Sequence, residues 1–368
     1  MNRAVVIGGG IIGLSLADEL TRRGIRVTLL EKSSETGREA SGAAAGILAP
    51  QSEAQGPGPF LDLLLAGAQM IPEAVARLEA LTGIQLEHRV SGMLTISFSD
   101  VEQEKLERAC QWQEAAGLSP QRVDAARVRQ MEPAVDGNVR GGIYWAQNAQ
   151  LDPRKFVAAT ERAARAAGAD IRLGEQVTRV LMKGRRAAGV ETSAGILESD
   201  WVIHCGGPWA MEEKGLPFSI PLVPARGQIL QFAPSQALFR RVVKSPRAYV
   251  VQRSDHCLIA GTTLEYVGFD SGVTEEGRRS ILEGVRQISS QAGSLGVQSS
   301  WAGLRPDTPD HLPILGPTSL EGFLVAAGHF RNGILLAPLT GRLIADSMLG
   351  VRSSVDLSHF SPSRFMVG

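Results

Sequence analysis

Hydrophobic and polar positions at the start of the chain follow the pattern of a nucleotide-binding βαβ unit. An apolar run at 4–7 has the length of a buried strand, and the glycine-rich stretch 8–13 opens an amphipathic segment that extends to about Arg23. Gly24 provides a helix stop, and a second apolar run occupies 25–30. We therefore predict two parallel strands joined by a helix in a right-handed crossover.

The alternation then breaks, which predicts an insertion into the first domain. Segment 60–81 has helical spacing, whereas 92–98 alternates like a strand. A helix at 152–167 and a strand at 170–173 resume the nucleotide-binding pattern, and 220–264 contains several alternating strands. The predicted fold class is α/β, with a Rossmann-like nucleotide-binding domain and an inserted α+β substrate domain built on an antiparallel sheet. The first domain is predicted to comprise 1–50, 151–215 and 299–368, and the substrate-binding domain 51–150 and 216–298.

Composition narrows the class of protein further. The 368 residues contain 38 Lys and Arg against 38 Asp and Glu, so no net charge attracts nucleic acid or an anionic membrane. The 3 cysteines match no metal-binding or CxxC spacing, which favours free thiols in a reducing compartment. No secretory pattern and no uninterrupted apolar run of about 18 residues occurs. We expect a cytoplasmic protein without a membrane anchor, a nucleic-acid partner or a metal.

The motif Gly8-x-Gly10-x-x-Gly13 lies between the first predicted strand and helix. In dinucleotide-binding folds these glycines permit a tight turn, approach of the backbone to a pyrophosphate, and close packing of helix and strand. Glu31 follows about 20 residues further on, where a carboxylate binds a ribose and repels the 2′-phosphate of NADP. This context disfavours the alternative, a glycine-rich turn without a ligand. We therefore predict a dinucleotide site.

Two further segments favour FAD over NAD. Residues 38–47 (REASGAAAGI) carry few large side chains, so their backbone can lie against a long, extended cofactor; composition alone permits a flexible linker equally well. Residues 328–338 (GHFRNGILLAP) place a glycine turn near the start of the last predicted helix. Amides at a helix N-terminus stabilise the negative charge of a reduced flavin, although an ordinary buried strand–turn–helix has the same pattern.

Four motifs together resemble the D-amino-acid-oxidase superfamily and, within it, the glycine oxidases: the N-terminal fingerprint, residues 41–48, the sequence WAGLRP at 301–306, and residues 328–338. The resemblance covers the chain from end to end. It implies an FAD-binding domain with non-covalent FAD, and oxidative deamination of glycine or a small amino acid such as sarcosine, D-alanine or D-proline. Hydride transfer from Cα to the flavin, with oxygen as acceptor, would give an imine or oxo acid and hydrogen peroxide. The resemblance also implies a homo-oligomer, commonly a tetramer, that serves thiamine biosynthesis.

The same resemblance assigns individual residues. Beside Gly8, Gly10 and Gly13 of the fingerprint, it places FAD contacts at Ile12, Glu31, Lys32, Ala40, Ser41, Ala45, Gly46, Ile47, Val177, His329, Phe330, Arg331, Asn332, Gly333, Ile334 and Leu335. It assigns Arg305, Arg331 and Tyr249 to substrate binding and catalysis. Ile47 and Leu264 stand where the family has methionines, so we expect these two residues to alter the walls of the substrate pocket.

The expected chemistry depends mainly on Arg305. It precedes Pro306, which favours an extended backbone, and its planar guanidinium can bind a carboxylate with two hydrogen bonds. A surface ion pair in the polar loop that follows is the alternative, as strand packing is for Tyr249. No general base is required, because the lone pair of a neutral amine assists the departure of hydride. His329 is therefore interpreted as a backbone contributor beside the flavin.

Other functions stay open at this point. A D-amino-acid or sarcosine dehydrogenase on the same fold would pass electrons to a quinone or dye instead of oxygen. A nicotinamide enzyme or a non-redox nucleotide-binding module would have no need of the segments 38–47 and 328–338, and it would be colourless. Covalent attachment of the flavin is disfavoured because no cysteine lies between Trp301 and Pro338.

Overall fold

A computed structural model describes residues 3–212, 216–353 and 355–365. The helices are α1 (Ile11–Arg22), α2 (Ala40–Ala43), α3 (Pro50–Glu53), α4 (Pro59–Thr82), α5 (Asp100–Ala115), α6 (Ala125–Met131), α7 (Pro153–Ala166), α8 (Glu275–Ile288), α9 (Ser290–Gly293) and α10 (Gly333–Leu349). The strands are β1 (Arg3–Ile7), β2 (Arg26–Glu31), β3 (Ile47–Leu48), β4 (Met93–Ser97), β5 (Gln121–Asp124), β6 (Gly141–Trp145), β7 (Ala149–Gln150), β8 (Asp170–Leu173), β9 (Val177–Lys183), β10 (Arg186–Thr192), β11 (Gly195–Glu198), β12 (Trp201–His204), β13 (Val223–Phe232), β14 (Val242–Lys244), β15 (Tyr249–Gln252), β16 (Leu258–Gly261), β17 (Val297–Asp307), β18 (Ile314–Pro317) and β19 (Phe323–Ala327). Short 3₁₀ turns occupy Gly207–Glu212, Ser358–Phe360 and Pro362–Arg364.

A six-stranded sheet in the order β18-β19-β12-β1-β2-β8 forms the centre of the nucleotide-binding part. Its strands pair in parallel, except that β18 is antiparallel to β19. Side chains of β1 alternate between the two faces of the sheet. Val6 packs in the core formed with α1, α7 and α10, whereas Val5 packs against Val180 and Val190 of the sheet β9–β11. The predicted βαβ unit, with β1 parallel to β2, is confirmed.

An eight-stranded sheet in the order β17-β13-β16-β15-β14-β4-β6-β5 forms the second part. It is antiparallel except where β14 pairs in parallel with β4. One face packs against α8, as shown by the contact cluster of Leu230 with Ile281. The other face carries Ile229, which clusters with Ala45 of the nucleotide-binding part. The predicted fold class, a Rossmann-like domain combined with a domain built on an antiparallel sheet, is confirmed.

Two segments lie in a different part of the molecule than the predicted domain boundaries indicate. Strand β17 pairs with β13 along its whole length, so residues 299–307 belong to the antiparallel sheet and not to the first domain. Helix α4 falls within the predicted substrate domain, yet its buried residues join the core of α1, α7 and α10. Local patterns identify such elements, but pairing with distant parts of the chain decides in which layer they lie.

Helix α4 is also the one helix among the described residues that is long and apolar enough, by length and composition, to cross a membrane. The expectation of no membrane anchor rested on the lack of an uninterrupted apolar run, and Asp62 interrupts α4. Leu61, Leu64, Ile71 and Leu78 on this helix are buried in the protein core. The apolar window of α4 is 33% buried, so one side of the helix packs in the core.

Candidate active site

A cavity of about 670 Å³ lies between the two large sheets and is lined by residues of both. Its volume is within the range of small-molecule and cofactor sites. The lining includes most of the residues that the sequence singled out: Gly8, Gly10, Ile12, Glu31, Lys32, Ala40, Ser41, Ala45, Gly46, Ile47, Val177, Tyr249, Arg305, His329, Phe330, Arg331, Asn332, Gly333 and Ile334. The fold therefore brings distant motifs of the sequence together around one cavity.

Three of the expected site residues lie outside this lining. The expectation that Leu264 forms a wall of the pocket is wrong: its side chain is 52% exposed, and beyond the end of β16 it is Thr262 that lines the cavity. Leu335 is buried in the core beneath the start of α10. Gly13 lies behind the fingerprint turn, where a Cβ atom would overlap the carbonyl oxygen of Gly8. Gly13 thus permits close packing and does not itself face the cavity.

Glu31 and the N-terminus of α1 lie at the nucleotide end of the cavity. The Glu31 carboxylate accepts hydrogen bonds from the backbone N–H groups of Gly9 (2.7 Å) and Ser33 (2.8 Å), which fix its orientation. Helix α1 begins after Gly10, and its first N–H group, that of Ile11, donates to the side-chain oxygen of Ser41 (3.0 Å). The partial positive charge of the helix N-terminus is available to a phosphate at this end of the cavity. This arrangement fits the adenosine-diphosphate half of a dinucleotide.

The small-residue segment 38–47 is a fixed wall of the cavity and not a flexible linker. Gly46 has φ of +74°, and a Cβ atom there would overlap the carbonyl oxygen of Leu151. The buried guanidinium of Arg253 donates hydrogen bonds to the carbonyl oxygens of Leu151 (2.7 Å) and Ala45 (2.6 Å). Burial lowers the pKa of Arg253. These contacts hold the backbone of Ala45, Gly46 and Ile47 against the cavity.

The turn before α10 forms another part of the wall. The backbone N–H of Phe330, which has φ of +47°, donates to the carbonyl oxygen of Pro306 (2.9 Å) and so ties the turn to the strand of Arg305. Gly333 begins α10 and lines the cavity, which brings the partial positive charge of the helix N-terminus there. His329 is buried with its Nε2 atom 3.0 Å from Thr340 Oγ1, and burial lowers its pKa to about 3. His329 is therefore neutral near pH 7.

Arg305 and Tyr249 lie together at the substrate end. The guanidinium of Arg305 donates hydrogen bonds to Thr262 Oγ1 (2.7 Å) and to the carbonyl oxygen of Thr263 (3.2 Å). No carboxylate of the described residues lies within 4.0 Å of it, so the alternative of a surface ion pair is wrong. A Cβ atom at Gly227 would overlap this guanidinium, so glycine is needed to make room for it.

Burial affects both of these side chains. It lowers the pKa of Arg305 and raises the pKa of the Tyr249 hydroxyl, a shift that the neighbouring charge of Arg305 opposes. Tyr249 therefore stays protonated and can donate a hydrogen bond. A partly buried cation without an acidic partner among the described residues, next to a phenol that can donate, is suited to bind a carboxylate.

Arg331, the second predicted arginine, is in a different environment. Its side chain is 46% exposed, and its Nε atom lies 3.2 Å from Glu53 Oε2. The other oxygen of Glu53 lies 3.6 Å from Lys244 Nζ. Glu53, Lys244 and Thr262 all line the cavity, yet sequence reasoning did not single them out. No local motif marks these residues, because they meet only when distant segments pack together.

A largely parallel sheet with a dinucleotide fingerprint faces an antiparallel sheet that carries Arg305, an arrangement typical of two-domain flavin-dependent oxidoreductases. The sequence matches the family described as "FAD dependent oxidoreductase" over residues 3–347. The chain belongs to that family, and FAD is its cofactor.

Individual relatives agree with this assignment. The chain is 34% identical over 366 residues to the "Bifunctional protein ThiO/ThiG" of Trichormus variabilis, covering 98% of this chain and 55% of that protein. It thus spans about half the length of the bifunctional relatives that it matches. The glycine oxidase of Pseudomonas aeruginosa is 31% identical, with 98% of each chain covered. The crystal structure of glycine oxidase from Geobacillus kaustophilus is 30% identical, superimposes with a TM-score of 0.94, and is covered to 100%, as is this chain.

Proposed function

We propose that this protein oxidatively deaminates glycine or a small amino acid, with FAD as the hydride acceptor and oxygen as the final acceptor. The observation that carries the proposal is the cationic side chain of Arg305, which faces the cavity without an acidic partner among the described residues. Similarity to proteins named glycine oxidase supports the same activity. The products would be an imine or its oxo acid, ammonia and hydrogen peroxide.

The residues of the chain mainly bind and orient the substrate. Arg305 would bind the α-carboxylate with two parallel hydrogen bonds, and the protonated hydroxyl of Tyr249 would donate a third. These contacts restrict the position of Cα, and such positioning lowers the barrier to the reaction. FAD, when bound, supplies the two-electron acceptor for the hydride that leaves Cα.

The reaction does not require a side chain of the protein as a general base. As the hydride leaves, the lone pair of the neutral amine forms the C=N bond, and water then hydrolyses the imine to an oxo acid and ammonia. His329 stays neutral and buried against Thr340, so it is not placed to take a proton from the substrate. The N-terminus of α10 at the cavity favours the negative charge that accompanies reduction of the cofactor.

The same proposal covers the pathway, the cellular compartment and the oligomeric state of the protein. The bifunctional relatives, whose name combines ThiO with ThiG, support a role in thiamine biosynthesis. Cys110 and Cys257 form no disulfide, which supports work in the reducing cytoplasm. Assembly into a homotetramer is a prediction from the resemblance to glycine oxidases.

The test is to measure peroxide release by the FAD-loaded protein with glycine, sarcosine, D-alanine and D-proline, with dye reduction measured in parallel. Peroxide from any of these amines is the expected result. Dye reduction without peroxide would replace the oxidase by a dehydrogenase on the same site. Failure of all four amines in both assays, with FAD shown to be bound, would overturn the proposed activity.

A further inference from the structure

We propose that the cavity selects amino acids that carry a second acidic group, with Lys244, Arg247 and Arg331 as the residues that recognise it. The inference rests on the proposed function, because it assumes that Arg305 and Tyr249 hold the α-carboxylate. The substrate class is that of small aminodicarboxylates, in which the second carboxylate lies on the side chain or on an N-substituent.

Charges in the cavity lining are unevenly distributed. Four acidic residues line it, and three of them, Glu31, Glu39 and Glu175, flank the segments at the nucleotide end. At the substrate end, the acidic residue in the lining is Glu53, which is outnumbered by basic residues. The basic residues in this part of the lining are Lys244, Arg247, Arg305 and Arg331. The substrate end thus has four positive charges and one negative charge, a net charge of +3.

The contacts at this end do not neutralise that excess. Glu53 is shared, with one oxygen 3.2 Å from Arg331 and the other 3.6 Å from Lys244. One carboxylate therefore balances two cations. Arg247 is exposed, lies two residues before Tyr249, and forms no ion pair among the described residues.

Glu53 and Arg331 lie near enough to the α-carboxylate site for their charges to act on Arg305. Arg331 lowers the pKa of Arg305 and Glu53 raises it, although burial has the larger effect. A zwitterionic amino acid has one carboxylate and could compensate only Arg305. Glu53 can balance only one of the two cations that it contacts, Arg331 and Lys244. A second anionic group on the substrate would balance the other, and partly buried cations are stabilised by such pairing.

The experiment compares each acid with its isosteric amide as substrate of the FAD-loaded protein. The pairs are D-aspartate with D-asparagine, and N-carboxymethylglycine with its monoamide, with reduction of an artificial acceptor as the assay. We expect kcat/KM to be about tenfold higher for the acid in one or both pairs, which is the effect of about one hydrogen bond to a charged group. The preference should decrease when sodium chloride is raised from about 20 mM to about 500 mM, because these charges are screened.

Lys244→Met tests the assignment of residues, because it removes a cation and keeps an unbranched side chain. We expect it to lower the acid-to-amide ratio about tenfold. Lys183→Met, at an exposed position of the β9–β10 hairpin outside the cavity lining, should leave the ratio unchanged. Binding is followed independently with oxydiacetate and methoxyacetate, which lack the amine: the dicarboxylate should perturb the flavin absorbance at about tenfold lower concentration.

The outcomes separate this inference from the function on which it rests. If glycine or sarcosine is oxidised but neither acid is preferred to its amide, the second anion site is wrong and the amine oxidase remains. If the acids are preferred but Lys244→Met does not change the ratio, Lys244 is not the residue that recognises them. If no amine is oxidised although FAD is bound, the proposed function itself fails.

Discussion

Arg305 and Arg331 both line the cavity, but different groups satisfy their guanidinium groups. Arg331 has the carboxylate of Glu53, whereas Arg305 has a threonine hydroxyl and a backbone carbonyl. Neutral acceptors compensate a partly buried cation only in part. A substrate carboxylate would complete the set of acceptors, so binding energy is concentrated at this one residue.

Replacement of Arg305 by Ala should therefore weaken substrate binding by about 3 kcal/mol, which is roughly a hundredfold increase in KM. FAD content, measured by absorbance, should stay near that of the unchanged protein, because Arg305 lies at the substrate end. Arg185→Ala, at an exposed position of the β9–β10 hairpin, is the matched control and should have no effect. A normal KM in Arg305→Ala would refute the assignment of the carboxylate site.

At the scale of elements, the cavity wall depends on the contact between β3 and the chain before α7. The backbones of Gly46 and Leu151 approach so closely that no side chain fits between them, and Arg253 donates to carbonyl oxygens on both sides of the contact. Residue 46 also has φ of +74°, which L side chains adopt at a cost. The position of this wall is thus set by backbone atoms.

Gly46→Ala should push β3 away from Leu151 and weaken FAD binding by tenfold or more, because a Cβ atom 2.0 Å from the Leu151 oxygen forces a shift of the backbone that lines the cavity. The dissociation constant of FAD, measured by fluorescence titration, is the readout. Gly56→Ala introduces the same methyl group where no atom lies within 4 Å, and it should bind FAD normally. Equal affinity in the two variants would contradict the role given to Gly46.

The sequence predicts the segments that line the cavity only where the residues of a segment themselves determine its conformation. The strand–turn–helix of residues 3–22 and the turn before α10 are marked by glycines at fixed spacing, and both were identified. Residues 38–47 were ambiguous, because the hydrogen bonds from Arg253 that fix them come from a distant segment. Leu264 was misplaced because its exposure depends on how the chain leaves β16, which composition does not encode.

At the scale of the whole molecule, stability should decrease in mild acid. Burial lowers the pKa of His329 to about 3, whereas an unfolded histidine has a pKa of about 6.5. Below pH 6.5 the unfolded state therefore binds a proton that the folded state does not bind until about pH 3. This histidine favours unfolding progressively as the pH falls between these two values.

His329→Gln removes this titration. Between about pH 7 and about pH 5, the variant should lose about 2 kcal/mol less of its free energy of unfolding than the unchanged protein does. Denaturant unfolding with FAD in excess measures the difference, and His359→Gln, at an exposed position, should behave like the unchanged protein. Identical pH dependence in all three proteins would mean that His329 already binds a proton in the folded state.

Helix α4 packs in the nucleotide-binding part although it falls within the predicted substrate domain, and the predicted boundary at residue 299 cuts through β17. Both placements restrict which segments could be exchanged with a relative to transfer substrate specificity. A chimera that exchanged 51–150 and 216–298 as blocks would place a foreign α4 against α1, α7 and α10, and would separate β13 from the strand with which it pairs. Junctions after Thr82 and beyond Asp307 would keep α4 with its host and move β13 and β17 together. A donor's substrate sheet, with the arginine of its carboxylate site, could then be grafted onto this FAD-binding part without cutting through either core.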